Sequence, residues 1–238
     1  MKNEKSSKVS ILVPAHNCES TIERSLSSLA EQTFKDFEVV LVLNNCSDNT
    51  EIIANAFRNN FKLKIIKNDI PGIVPTLNAG IFHCAAPLIA RQDGDDYWYP
   101  TKLEKQVDFL EKNTEIDILG TQIRLVDKNY NPVQDSLVHP EEDMKIKMKL
   151  LSGNNAIAHP SVLFHKRIFL QAGIYEDNYR FAEDYFLWLK CIRWYKFANL
   201  PDIMIDYTVS HNPEYDPSIT QFACYNAIQM FKQQGLIK

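Results

Sequence analysis

The sequence predicts an α/β protein whose mostly parallel, Rossmann-like sheet is flanked by helices. Short apolar runs rich in β-branched residues alternate with segments of helical spacing through the first half of the chain. The run from Pro87 to Ala90 is continuously apolar, as expected of a strand buried on both faces. Strand and helix follow each other at a rhythm typical of parallel strands joined by right-handed crossovers.

The elements of the first half follow from local patterns. Pro14 ends the first strand, and Ile22, Leu26 and Leu29 give the next segment its helical spacing. The predicted strands are Lys8–Val13, Phe37–Leu43, Leu63–Ile66, Leu88–Arg91 and Ile116–Val126. The predicted helices are Glu19–Gln32, a helix from Asp48, Val74–Cys84 and Thr101–Glu111.

The second half is less regular, and the 238 residues are predicted to form one domain with a smaller C-terminal lobe. A turn is predicted at Asn129–Pro132. The other elements expected there are a helix at Glu141–Leu150, a strand at Ala158–Phe164, a helix from about Ala182 and a last helix at Ser218–Gln234.

Composition excludes several classes of protein. A net charge of -4 and an isoelectric point near 5.9 leave no basic stripe for nucleic acid. The polar N-terminus does not resemble a signal peptide, and no apolar run is long enough to span a bilayer. The five scattered cysteines indicate reduced thiols and a cytoplasmic location instead of a disulfide framework or a zinc site.

The densest cluster of charge is the acidic loop, Asp93-Gly94-Asp95-Asp96, directly after a predicted strand. Carboxylate oxygens on a short turn suit Mg²⁺ or Mn²⁺, which usually share their coordination with substrate phosphates. The alternative is a solvated turn whose Asp side chains cap the next helix. Ligands of parallel sheets bind beyond the carboxyl ends of the strands. The ends at Pro14–Asn17 and Leu43–Asn45 should therefore meet the acidic loop in one crevice.

Six motifs in order resemble those of the family-2 glycosyltransferases over roughly Val9 to Tyr207. They are V-S-I-L-V-P-A-H-N, V-L-N-N-C-S-D-N-T, L-N-A-G, I-A-R-Q-D-G-D-D, H-P-S-V and A-E-D-Y-F-L-W-L. The resemblance implies the GT-A fold, with a nucleotide-sugar-binding half at about 8–126 and an acceptor-binding half at about 127–238. It also implies a nucleotide-diphospho-sugar donor, a divalent metal and inversion at the anomeric carbon.

The resemblance assigns the chemistry to two acidic motifs. Asp95 would bind the Mn²⁺ or Mg²⁺, Asp93 would contact the metal or the ribose, and Gly94 would let the backbone approach the nucleotide. Asp184 would be the general base, with Glu183 binding the acceptor or orienting its neighbour. Both acids also suit the positive end of the helix that they begin. Asp96 is expected to support the ligands or to cap a helix.

The remaining site residues implied by the resemblance surround the donor. The loop expected against base and ribose contains Pro14, Ala15, His16 and Asn17. Asn78 and Arg91 match positions near the nucleotide and its phosphates. The alternative for Arg91 is an ion pair with Asp93 or Asp95. The alternative for His16 is to cap the helix that begins at Glu19. His211 would reach the metal or diphosphate, or is an ordinary surface histidine. His159 is expected on the acceptor side or in packing.

The chain departs from the family pattern in two places. Leu43 and Asn44 replace the Asp residues that normally end the second strand, and Asn44 can still accept a hydrogen bond from the base. A UDP-sugar is the preferred donor, with guanosine and thymidine nucleotides left open. Tyr207 is not followed by the usual Arg, which puts a diphosphate clamp from that segment in doubt.

These observations predict a glycosyltransferase acting on a glycan, lipid-linked or other hydroxyl acceptor. The alternative is a catalytically silent nucleotide-sugar-binding subunit of a transferase complex, which Asn44 favours. A nucleotidyltransferase is disfavoured because the first strand is not followed by a glycine-rich loop. The last helix is expected on the core or at a homodimer contact, or on the inner face of a membrane.

Overall fold

A computed structural model describes residues 6–177, 181–209, 217–233 and 235. The strands are β1 (Val9–Ala15), β2 (Phe37–Asn44), β3 (Lys62–Asn68), β4 (Leu88–Arg91), β5 (Tyr97–Trp98), β6 (Ile118–Val126), β7 (Pro132–Leu137), β8 (Leu163–His165) and β9 (Phe197–Thr208). The helices are α1 (Ile22–Ala30), α2 (Thr50–Asn55), α3 (Ile73–His83), α4 (Lys102–Lys112), α5 (Asp143–Leu151), α6 (Phe169–Ala172), α7 (Glu183–Cys191) and α8 (Pro217–Gln233).

All nine strands join one sheet in the order β3-β2-β1-β4-β8-β6-β9-β5, with β7 beside β6. The β3-β2-β1-β4 part is parallel throughout, and β6 and β9 are also parallel to each other. Strand β8 runs antiparallel between β4 and β6, so it joins the regular first half of the sheet to the second. The predicted α/β class is confirmed.

The core lies on both faces of the sheet because successive side chains of a strand point to opposite faces. Leu12 packs in the cluster that contains residues of α3, α5, α7 and α8. Ile11 and Val13 pack in the other cluster, with residues of α1 and α4. Every residue of β1 and β2 is buried, which explains their continuous apolar runs.

The structure corrects the sequence prediction at several elements. The strand predicted at Ala158–Phe164 is wrong in its first part, because Pro160 lacks an N–H and the backbone at His159–Ser161 forms a 3₁₀ turn. Helix α1 begins later than predicted. Strands β5, β7 and β9 were not predicted, and β9 contains Pro201 and several polar residues that obscure its pattern.

Helix α8 packs on the protein through one face. The rings of Phe231 and Phe186 on α7 lie 5.6 Å apart, edge to face, while Phe222 and Tyr225 are exposed. Core packing of the last helix is therefore confirmed, and contact with a membrane or a second copy stays a prediction.

Within the described ranges, no helix combines the length and hydropathy needed to cross a membrane. All five cysteines are free thiols, as predicted.

A buried lysine beneath β5 gives a testable pH dependence. Lys102 is 0% exposed, its Nζ donates to Gln106 Oε1 at 2.8 Å, and it lies 3.5 Å from the centre of the Trp98 ring. Burial lowers the pKa of Lys102 well below its ordinary value of 10.5. Between the folded and the unfolded pKa, the unfolded state therefore binds more protons, and the free energy of unfolding rises with pH.

We expect Lys102→Met to change this dependence. As the pH rises from 7 to 10, wild type should gain stability over the variant by up to about 1.4 kcal/mol per pH unit, because only wild type releases this proton on folding. Urea unfolding at pH 7, 8, 9 and 10 measures it, with the exposed Lys112→Met on the same helix as control. If the free energies of unfolding of wild type and Lys102→Met changed in parallel with pH, burial would not lower the pKa of Lys102.

Candidate active site

A crevice of about 310 Å³ opens where β1 and β4 end. It is lined by Pro14, Ala15, His16, Asn17, Cys18, Ser20, Thr21, Asp93, Gly94 and Asp95. The predicted convergence of three loops is therefore confirmed for the first loop and the acidic loop, whereas Leu43–Asn45 is not part of the crevice lining. Their junction is tight at Gly94, where a Cβ would lie 3.0 Å from Cys18 Sγ. This close approach is one reason for a glycine between the two aspartates.

The loop after β1 is fixed by the loop after β2. His16 is exposed, and its Nδ1 donates to the Asn44 carbonyl oxygen at 2.6 Å, which leaves Nε2 as the free ring nitrogen. Asn17 has a positive φ of 46°, and its Oδ1 accepts from the Ser47 N–H at 2.8 Å. The alternative of His16 as a helix cap is wrong, because Thr21 occupies the N-cap position of α1.

Two of the predicted donor residues make structural contacts. Asn44 Nδ2 donates to the carbonyls of Asn68 (3.2 Å) and Ile70 (2.6 Å), and its Oδ1 accepts from the Gly72 N–H at 3.2 Å. Asn44 thus holds the turn that follows β3. The Asn78 amide pairs with the backbone of Tyr175 in both directions, at 3.0 and 3.1 Å. Nucleotide contacts by either side chain stay predictions.

The acidic loop brings three carboxylates together. Ligand oxygens of Asp93, Asp95 and Asp96 all lie within 4.8 Å of one another. Burial, and then the charge of Asp93, raises the pKa of Asp95 to about 6. Burial together with Asp93 and Asp95 raises the pKa of Asp96 well above its usual range. Asp95 and Asp96 therefore resist ionisation unless a positive charge offsets their burial and mutual repulsion.

Asp96 is the innermost member of the cluster. Its Oδ1 accepts from the Thr208 N–H at 2.9 Å, and within the described residues its buried Oδ2 has no hydrogen-bond partner. Asp96 does not cap a helix, since Thr101 is the N-cap residue of α4. Three carboxylates can offer oxygen ligands here, and one of these oxygens is buried without a hydrogen-bond partner among the described residues. Such a set fits a hard divalent cation such as Mn²⁺ or Mg²⁺.

Arg91 lies beneath this cluster and is 6% exposed. Its two terminal nitrogens form an ion pair with the Asp93 carboxylate, which confirms the pairing alternative for this residue. Its charge also lowers the pKa of Asp96, Glu183 and Asp184 against the larger effect of burial. The guanidinium of Arg91 therefore interacts electrostatically with both acidic motifs. A direct contact between Arg91 and the nucleotide stays a prediction.

The second acidic motif begins α7. Asp184 Oδ1 accepts from the Tyr185 N–H at 2.7 Å, and Oδ2 accepts from Asn155 Nδ2 at 2.8 Å. Burial raises the pKa of Asp184, and these two hydrogen bonds lower it. Burial, and then the charge of Asp184, raises the pKa of Glu183 to about 7. A carboxylate whose pKa is raised by burial, and whose ionised form two donors favour, suits proton abstraction near neutral pH.

The sequence analysis missed two residues of this region. Thr208 Oγ1 donates to the Asp95 carbonyl at 2.6 Å and so ties the end of β9 to the acidic loop. Asn155 contacts Asp184 from the loop after α5. Asn155 belongs to none of the six motifs. Thr208 stands where the family usually has an Arg, but nothing in the sequence indicated that it contacts the acidic loop. His159 is buried, with Nε2 2.7 Å from Tyr175 Oη, and so has the packing role. His211 lies outside the described residues.

The sheet and its flanking helices have the GT-A fold. The solved structure of S. aureus TarS 1–349 in complex with UDP-GlcNAc matches with a TM-score of 0.72 at 23% identity, over 86% of this chain and 59% of that chain. The mannosyltransferase PcManGT from Pyrobaculum calidifontis, in complex with GDP-Man and Mn2+, matches with a TM-score of 0.67 at 14% identity, over 97% and 76%. The predicted fold is confirmed.

The chain belongs to glycosyl transferase family 2, whose family model matches residues 10–172. The Escherichia coli O-antigen biosynthesis glycosyltransferase WbnJ is 28% identical over 238 residues, covering 96% of this chain and 91% of WbnJ. The resemblance found in the motifs is confirmed, and so is the enzyme class, a glycosyltransferase.

Proposed function

We propose that this enzyme transfers a hexosyl or N-acetylhexosaminyl group from a UDP-sugar to an acceptor hydroxyl, with inversion, during biosynthesis of a surface glycan. The TarS complex with UDP-GlcNAc supports the donor class, and the name of WbnJ supports the glycan. The half at about 8–126 would bind the donor and the half at about 127–238 the acceptor.

The observation that carries the proposal is the cluster of three carboxylates, two of which, Asp93 and Asp95, line one crevice together with the first loop. Asp95 would hold a divalent cation together with Asp93 or Asp96. When bound, the metal supplies positive charge to the leaving diphosphate. The base and ribose of the donor would lie against the first loop, with His16 at its exposed edge.

Asp184 would take the proton of the acceptor hydroxyl as that oxygen attacks the anomeric carbon opposite the diphosphate. Inversion requires a single displacement of this kind. Two features support Asp184 in this role, its doubly hydrogen-bonded carboxylate and its half-buried position at the start of α7. The dipole of α7 also favours the ionised form.

The test is thermal unfolding with UDP-, GDP-, CMP- and dTDP-sugars, each with and without Mn²⁺. We expect a metal-dependent stabilisation by UDP-sugars of about 2.7 kcal/mol at a hundredfold excess over Kd. Asp95→Asn should remove the metal-dependent part because it removes a charged ligand. Asp108→Asn, an exposed acid on α4, is the matched control and should keep it.

Stabilisation by another nucleotide would correct the donor, and stabilisation without metal would overturn the role of Asp95. Stabilisation by UDP-sugars, together with no sugar transfer to any of a panel of glycan and lipid-linked hydroxyl acceptors, would favour the silent-subunit alternative.

A further inference from the structure

We propose that Asn155 is a positioning residue for the general base, which rests on the proposed role of Asp184. Asn155 lies in the loop between α5 and the 3₁₀ turn at His159–Ser161, and its Nδ2 donates to Asp184 Oδ2 at 2.8 Å. The contact joins two segments 29 positions apart in sequence. It is the one side-chain hydrogen bond to Asp184 within the described part of the chain.

The orientation of the Asn155 amide is itself fixed. Its Oδ1 accepts from the backbone N–H groups of Ala156 (2.9 Å) and Ile157 (3.3 Å), so the donor end must point away from these groups and towards Asp184. Because the backbone holds Oδ1, Nδ2 is already directed at Asp184. Forming the hydrogen bond to Asp184 therefore costs little further side-chain entropy.

The loop that carries Asn155 is braced in turn from β9. Asn199 Nδ2 donates to the carbonyls of Ala156 (2.9 Å) and Pro140 (2.7 Å). Gly120 on β6 leaves the space that Asn199 needs, because a Cβ there would lie 2.1 Å from Asn199 Oδ1. The support therefore runs from the central sheet through Asn199 and the loop to Asn155 and then to Asp184.

This arrangement sets both the direction and the charge of the base. The Tyr185 N–H donates to one oxygen of Asp184 and Asn155 donates to the other, so both hydrogen bonds favour one orientation of the carboxylate and of its remaining lone pairs. Burial raises the pKa of Asp184, and both hydrogen bonds lower it because they favour the ionised form. Among the described residues, the charged and titratable groups that interact electrostatically with Asp184 are Glu183 on its own helix, Arg91 on β4, Tyr175, and Cys224 on α8.

The test compares Asn155→Asp with Asn154→Asp, an identical charge change at the exposed neighbouring residue. Asp at 155 keeps an oxygen for the Ala156 and Ile157 N–H groups but presents a carboxylate oxygen to Asp184 in place of a donor. We expect kcat to fall about 10- to 100-fold, as for removal of an orienting hydrogen bond, with KM for the donor unchanged. The acid limb of the pH–rate profile should move to higher pH because the base loses a stabilising donor and gains a like charge.

Asn155→Ala, which only removes the amide, should move the acid limb in the same direction by less, and Asn154→Asp should leave it in place. Equal profiles for all three variants and wild type would overturn the inference, as would a change in KM for the donor alone. If Asp184→Asn abolishes transfer while Asn155→Asp is normal, only this inference fails. If Asp184→Asn retains transfer, the proposed base itself is wrong.

Discussion

Asp184→Asn is expected to lower kcat by about 10²- to 10⁴-fold, the range that a positioned general base contributes. The side chain keeps its size, but an amide cannot accept the proton of the acceptor hydroxyl. Binding of the donor should persist, because the crevice is lined by the first loop and the acidic loop and not by α7. Steady-state transfer assays together with donor titration by calorimetry measure both quantities.

The Asp184→Asn variant also places an NH₂ group towards a donor, either the Tyr185 N–H or Asn155 Nδ2. Its unfolding temperature should therefore be recorded beside its activity, and Asp184→Ala provides a variant without this clash. Glu183→Gln is the matched control on the same helix and should cost less than Asp184→Asn. The reverse order of effects would move the base to Glu183, whose pKa is raised to about 7.

Arg91→Ala should lower the free energy of unfolding by about 3–5 kcal/mol, the usual cost of breaking a buried ion pair on one side. Asp93 loses its partner, and Asp96, Glu183 and Asp184 lose the same neighbouring cation. The loss should be larger at pH 8 than at pH 5. Without Arg91, the pKa of Glu183 and Asp95 rises further in the folded state, and an acid with a raised folded pKa destabilises the protein as pH increases.

Denaturant unfolding at the two pH values measures this effect. Arg24→Ala is the control because Arg24 also faces an aspartate, Asp206, but at 3.6 Å and with Arg124 remaining as a second partner at 2.8 Å. We expect a loss below about 1 kcal/mol there, as for a partly exposed pair. A loss for Arg91→Ala that is equally small, or the same at both pH values, would contradict the view that Arg91 neutralises the acidic motifs.

The sequence predicted the first half of the fold more closely than the second. Strands β1 and β2 are buried on both faces, so their apolar runs are continuous and easily recognised. Strand β9 pairs with β6 and β5. Polar side chains of β9 also form hydrogen bonds with residues that are distant in sequence. Asp206, for example, accepts hydrogen bonds from Tyr99 and Arg124. Such a strand depends on contacts that are distant in sequence and leaves little periodic pattern.

The candidate site divides in a similar way. A site at the acidic loop was predicted because its carboxylates follow a buried strand, whereas Glu183, Asp184 and the residues of the first loop were predicted from the family resemblance. The contacts of Asn44 and Asn78 were not predicted, since each depends on the partner that its side chain meets, and the pairing of Arg91 with an aspartate was one of two alternatives. The structure gives them the turn after β3, the backbone of Tyr175 and the carboxylate of Asp93, respectively.

The sequence by itself determined the class of fold, the family resemblance and the two groups of acids that are candidates for the chemistry, because these depend on local pattern and on motifs in fixed order. Only the tertiary structure decided which groups neutralise and orient those acids. Asn155 and Thr208 reach their partners across 29 and 113 positions of sequence, through contacts of single atoms that no local pattern records. Burial, which raises the pKa of Asp95 and Glu183, likewise arises only when the halves of the chain pack together.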